Sequence, residues 1–191
     1  MQRLFVLSMS TVAIIYGGDS IAETVHLKGT YGFTGTDACL VSRAGFNANL
    51  QPLGVSFSNS GSVEGIRTFK GDGTGINEST GVTITIPVGS VPSASSSHST
   101  ASVIYNVNAD GSFTSNNVPG TFKGTILTGT RAGQTFTLEN VPTTTGLISE
   151  SGKTLTLATL TPGVETEIFS NGDIQFRICH RSRVFIKLDT D

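Results

Sequence analysis

His180 has more chemistry within reach than any other side chain of the sequence. It lies in the run Ile174-Gln-Phe-Arg-Ile-Cys-His-Arg-Ser-Arg-Val-Phe-Ile-Lys-Leu188, next to Cys179. At a period of two it shares a face with Phe176, Ile178, Val184 and Ile186. An imidazole on such a face either satisfies itself within a core or points into a cavity. In the second case Arg67, on one face with Val63 and Phe69, would join it. Together they would orient an anionic or carbonyl ligand in an otherwise apolar pocket.

Other constellations lead away from catalysis. The serines and His26, His98 and His180 lack a Gly-x-Ser-x-Gly elbow, and His98 stands in a serine-rich stretch where chance supplies neighbours. Asp72 and Asp110 adjoin glycines without the spaced acidic series of a calcium loop, so turn chemistry explains them. Glu165 and Glu167 share a face but have Arg177 as partner. Two cysteines and one adjacent histidine fall short of a zinc site. No catalytic residue, metal ligand or cofactor is therefore expected. Cys39 and Cys179 are an even pair, and a disulfide is their expected state.

The elements that hold these residues are strands. Ile174–Leu188 alternates for roughly 50 Å at strand rise, so a bend or bulge is expected near His180 to Ser182. Burial cost orients it: unpaired guanidinium groups lose hydration in a closed interior, so Phe176, Ile178, Val184 and Ile186 are expected inside. Arg177, Arg181, Arg183 and Lys187 would then lie outside. Val25, Leu27, Tyr31 and Phe33 mark a first strand. Asp37 could cap a helical turn through Cys39-Leu40-Val41, within a loop spanning Thr36 to Gly54. From Val55 the chain reads as successive hairpins. Three share an Asp-Gly or Asn-Gly turn, at Asp72, Asp110 and Asn171.

The last hairpin fixes its own register. A two-residue Asn171-Gly172 loop would set Glu167 against Phe176 and mix apolar with charged faces. A three-residue loop instead opposes Ile168 with Ile174, Thr166 with Phe176, Val164 with Ile178, and Glu165 with Arg177. Gly172 should then be left-handed. The same choice aligns Val107 with Phe113.

Further strands fall at Thr121–Leu127, Thr135–Val141, Gly146–Ser149 and Thr154–Leu160. Pro87 to Ala101 is too polar to pack and reads as a disordered connector. Thr128 to Gln134 is a shorter loop presenting Arg131. The expected fold is all-β, an antiparallel up-and-down β-barrel of about 8–10 strands, with a two-sheet sandwich as the alternative.

Bulk properties place the molecule. Arg3, the apolar run Leu4–Tyr16 and Ser20-Ile21-Ala22 form a secretory signal with cleavage after Ala22. Residues 23–191 would then be one exported domain, secreted or periplasmic, with no integral membrane segment. Twelve basic and fourteen acidic residues give a net charge of −2, which offers nothing to nucleic acid. No tryptophan and three tyrosines leave no aromatic girdles for an outer-membrane barrel.

Gly29-Thr30-Tyr31 on the first strand, with Arg181 or Arg183 on the last, resembles the lipocalin-like (calycin) pattern. There a Gly-x-Trp packs under an arginine; here Tyr31 replaces the tryptophan. The resemblance implies a closed barrel with a ligand-binding lumen. The Tyr31-Gly32-Phe33 opening and the Gly71-Asp72-Gly73 turn are also similar to uncharacterised bacterial secreted β-proteins. The resulting expectation is an exported, non-enzymatic barrel that takes a small, largely apolar ligand into its lumen, with Arg67, His180 and Tyr31 as ligand-binding residues. A cavity-based cyclase or isomerase resembling allene-oxide-cyclase or dirigent barrels is one alternative. A structural protein with a packed interior is another. The state of the lumen separates the three.

Overall fold

The structure is a computed structural model and describes residues 27–188. The expected signal, its cleavage point and His26 lie outside these residues. The described chain forms one antiparallel sheet of eleven strands. They are β1 (Lys28–Ser42), β2 (Ser56–Lys70), β3 (Thr74–Ile86), β4 (Ser93–Val107), β5 (Ser112–Asn117) and β6 (Lys123–Ile126). There follow β7 (Thr135–Glu139), β8 (Thr144–Ile148), β9 (Thr154–Ala158), β10 (Val164–Phe169) and β11 (Ile174–Lys187). The pairing of β1 with β11 curls the sheet into a ring.

Eleven strands trace only eight paths along the ring. β5 and β6 both pair with β4, at its two ends. β8 pairs with β5 and β7 with β6; β9 pairs with β8 and β10 with β7. β9 and β10 then share β11. Each consecutive short pair is thus one path interrupted halfway. The interruptions, residues 118–122, 140–143 and 159–163, contain Pro119, Pro142 and Pro162 respectively. Proline offers no amide to a ladder, so each of the three paths breaks at the segment that holds its own proline. The result is the expected up-and-down ring, with three of its paths broken.

The turns form as the sequence implies. Asp72 Oδ1 accepts from the Thr74 amide at 2.9 Å, Asp110 Oδ1 from the Ser112 amide at 2.9 Å, and Asn171 Oδ1 from the Asp173 amide at 3.1 Å. Gly172 has φ +89°. Ile168 faces Ile174, Thr166 faces Phe176, Val164 faces Ile178, and Val107 faces Phe113, all in the expected register. Cys39 and Cys179 are opposed on β1 and β11 and joined by a disulfide.

Four expectations are corrected. Cys39-Leu40-Val41 is not a helical turn, because β1 runs to Ser42. The serine-rich stretch is not a disordered connector. From Ser93 it is strand β4, held by ladders to β3 on one side and β6 on the other, and these outweigh its poor strand propensity. Of the bend or bulge expected in β11, the bulge is absent: β11 pairs with β1 in unbroken register from Phe176 to Lys187. Instead it exchanges its other neighbour, β10 for β9, between Ile178 and Ser182.

The fourth correction reverses the faces of β11. Phe185 is fully buried while Ile186 is 60% exposed, and Ile174 and Val184 are exposed too. The inward row is Gln175, Arg177, Cys179, Arg181, Arg183 and Phe185. The buried disulfide sits in this row, and a strand's period of two carries the arginines in with it. Carboxylates inside the ring offset the hydration that the arginines lose.

The interior is zoned along its axis. One end is plugged by Leu27, Tyr31, Phe33, Phe69, Phe113, Leu155, Leu157 and Phe185. Each such side chain contributes about 1.5–3 kcal/mol on burial. Small residues let the rings lie flat across the sheet. Gly146 stands opposite Phe113, and a Cβ there would meet the Phe113 ring at 2.6 Å and the Thr156 carbonyl at 1.9 Å. Beyond the plug the interior turns polar.

Candidate functional site

Two cavities lie beyond the plug, and they share Thr83, Ser97, Phe136, Glu167 and Arg177 in their walls. The inner one, about 220 Å³, adjoins the plug and is lined by Arg67, Arg177, Arg181, Arg183 and Asp37. The outer one, about 500 Å³, lies towards the loops after β1, β3 and β6. Its volume is in the usual range for small-molecule sites, roughly 300–1,000 Å³.

Carboxylates and guanidiniums are unevenly matched here. Glu165 of β10 is fully buried and accepts from Arg177 Nε and from Arg181 Nη2. Burial pushes its carboxyl up, and Arg177 and Arg181 more than reverse this, so it ionises below the ordinary carboxylate range. Glu167 takes Arg177 Nη1 at 2.9 Å. For Glu167 burial prevails over Arg177, with Glu165 adding to it, and its pKa is raised. Arg177 loses to burial but gains more from Glu167 and Glu165, so its pKa is raised.

Arg183 is weakly served. Its guanidinium donates to the Thr36 and Ser182 carbonyls and lies 4.0 Å from Asp37. Burial brings its pKa down to about 10. Arg67 of β2 has no carboxylate partner among the described residues. Its Nε donates to Asn77 Oδ1 at 3.1 Å and its Nη1 to Ser115 Oγ at 3.3 Å. Its plane lies over Phe185 at 5.0 Å from the ring centre and over Phe69 at 5.9 Å. Burial, then Arg183, lowers its pKa to about 10, so it remains a cation at neutral pH. Arg181 Nη1 is buried without a partner among the described residues. Four arginines thus face three carboxylates, and the unmatched charge is at Arg67.

Of the expected ligand residues, only Arg67 reaches a cavity. Tyr31 is buried in the plug, edge-on to Phe69 at 5.3 Å, and its hydroxyl donates to the Gly152 carbonyl at 2.7 Å. His180 is neither a core residue nor in the lumen: it is exposed on the outer face, because Cys179 points inward. Asp37, Arg181 and Arg183 were missed as site residues. Only the disulfide connects them: once Cys179 is buried, every second residue of β11 follows it inward, and Cys39 carries Asp37 inward on β1. The Thr128–Gln134 loop presents Arg131 to Asp173 Oδ2 at 2.9 Å and to the Phe169 ring at 4.1 Å. Among the described residues no cluster of histidine, cysteine and acidic side chains could hold a metal ion, and no helix is long and apolar enough to cross a membrane.

No family model matches the chain, and neither the curated proteins nor the solved structures give a match.

Proposed function

We propose that the protein is an exported, non-enzymatic binding module that takes a small carboxylate-bearing ligand into its lumen. The disulfide is compatible with an oxidising compartment, which supports export. The observation that carries the reading is Arg67, a half-buried cation facing an open cavity with no carboxylate partner among the described residues. A single excess positive charge suits a monoanion, and a guanidinium fork matches a carboxylate in two parallel hydrogen bonds. Arg183, held by carbonyls and distant from Asp37, is the second donor. The expectation of an apolar ligand rested on the reversed faces of β11, so the binding module is kept and its ligand chemistry changes.

One observation favours the cyclase or isomerase alternative. Glu167 lines both cavities and holds its proton more tightly than an ordinary carboxyl, as a general acid would. Its bond to Arg177 gives it a structural task as well.

Thermal and chemical unfolding with added benzoate, acetate or cyclohexanol tests the binding reading. A carboxylate at about 100 times its Kd should stabilise the native state by about 2.7 kcal/mol, and Arg67→Met should abolish the effect. Stabilisation by cyclohexanol equal to that by the acids, or acid stabilisation that survives in Arg67→Met, would overturn it.

A further inference from the structure

We infer, building on the carboxylate reading above, that the ligand is a short 2-oxo acid and that the inner cavity holds it whole. Arg67 turns its neighbours into donors. A guanidinium carries only donors, so whatever it bonds must give a lone pair. Asn77, its register partner on β3, gives Oδ1, and Ser115 of β5 gives Oγ. The Asn77 Nδ2 hydrogens and the Ser115 hydroxyl hydrogen are left over, with no acceptor among the described residues. Ser79 and Ser99, opposed on β3 and β4, share one bond of 3.0 Å between their hydroxyls, which leaves one hydrogen of the pair free. These residues line the inner cavity together with Arg67. Ser79 and Ser115 are buried, so the cavity is where their hydrogens find a partner.

A carboxylate docked on the free edge of Arg67 spends its lone pairs there. The hydrogens of Asn77, Ser115 and the serine pair then require a further acceptor on the ligand. A second carboxylate would add a charge where only Arg67 is unmatched. A hydroxyl would bring a hydrogen of its own among donors and leave it unsatisfied, at a cost. A carbonyl oxygen accepts without adding charge or hydrogen. On the carbon next to the acid, it meets the partners of Arg67 without leaving the cavity. The far wall sets the rest of the molecule. In the order of the ring β7 stands opposite β2 and β9 opposite β3, so Leu138 and Leu157 confront the donors across the cavity. They suit a short apolar tail. The volume, about 220 Å³, equals that of roughly seven liquid waters, which limits the ligand to a comparable number of non-hydrogen atoms.

Calorimetric titration of the full disulfide-bonded protein with 2-oxobutyrate, 2-hydroxybutyrate, butyrate and sulfate tests this. The three acids share one carbon skeleton and one charge, and differ only in the group beside the carboxylate. 2-Oxobutyrate should bind on the order of tenfold more tightly than butyrate, the yield of an extra hydrogen bond or two, and more tightly than 2-hydroxybutyrate. Ser115→Ala should bring 2-oxobutyrate down towards butyrate. Asn77→Asp keeps the shape of the site but gives Arg67 a carboxylate of its own. It should end binding of all three acids while its urea midpoint stays at or above that of the native protein. His180→Ala, on the exposed outer face, should leave every affinity unchanged. Butyrate or 2-hydroxybutyrate binding as tightly as 2-oxobutyrate would overturn the oxo acid and leave the carboxylate reading standing. Sulfate binding more tightly than every acid, no binding by any acid, or acid binding undiminished in Asn77→Asp would overturn both.

Discussion

Arg67 and Arg177 are the same residue type in the same lumen, yet they answer to different balances. Arg177 lies between Glu165 and Glu167, and removing one member of such a buried group strands the others. Arg177→Met should therefore destabilise by about 3–5 kcal/mol. Arg67 has stacking and two neutral hydrogen bonds in exchange for its hydration, so Arg67→Met should change stability by less than about 1 kcal/mol while ending carboxylate binding. Paired urea titrations decide this, and equal losses would mean that Arg67 is a structural residue. Glu165 and Glu167 predict opposite responses to pH. The Glu165 pKa lies below its unfolded value, so its contribution is complete above the ordinary carboxylate range and is lost as pH falls through the folded pKa. The Glu167 pKa is raised, so stability declines as pH rises from the ordinary glutamate value through the folded one. Urea midpoints across the acid range should lose part of their acid limb in Glu165→Gln, and lose the decline on the higher side in Glu167→Gln.

At the scale of elements, register was legible and facing was not. The Ile168–Ile174 and Glu165–Arg177 pairs follow from loop length and charge, both local properties of one hairpin. Which side of that hairpin looks inward depends on partners distant in sequence. Asp37 and the disulfide both reach β11 from β1, at the far end of the chain. Hydropathy weighs Ile178 against the arginines and chooses wrongly, because it pairs Arg177 with Glu165 but cannot see that Arg181 shares Glu165 or that Asp37 of β1 lies near Arg183. The same blindness turned the serines of β4 into a loop, although two neighbouring ladders hold them as a strand. Gly172 tests the part that was legible. Nothing stands within 4 Å of where its Cβ would be, so any penalty there comes from its positive φ alone. Gly172→Val should destabilise by more than ~1 kcal/mol and Gly172→Asn by clearly less, as read from denaturation midpoints. Equal behaviour of the two variants would speak against the left-handed turn.

The whole molecule is a ring closed twice, once by the β1–β11 ladder and once by the disulfide across it. That bridge spans 140 positions, and loop-closure entropy gives it up to roughly 4–5 kcal/mol. Cys39→Ser with Cys179→Ser should lower stability by an amount of this order in non-reducing unfolding experiments. A peptide map showing two alkylatable thiols in the purified protein would remove the bridge altogether. The plug holds one end of the ring and leaves the polar remainder free to bind, so the cavity is sustained by a core that it does not contain. Side-chain NMR of the arginine Nε–H groups tests this account most directly, because it reports burial and ligation at the same atoms. Arg67, Arg177, Arg181 and Arg183 should give slowly exchanging signals at neutral pH, with Arg67 and Arg183 moving saturably on addition of benzoate and Arg177 staying in place. Fast exchange at all four, or no saturable movement at Arg67 with any carboxylate, would contradict the account of an arginine-lined lumen that receives an acid.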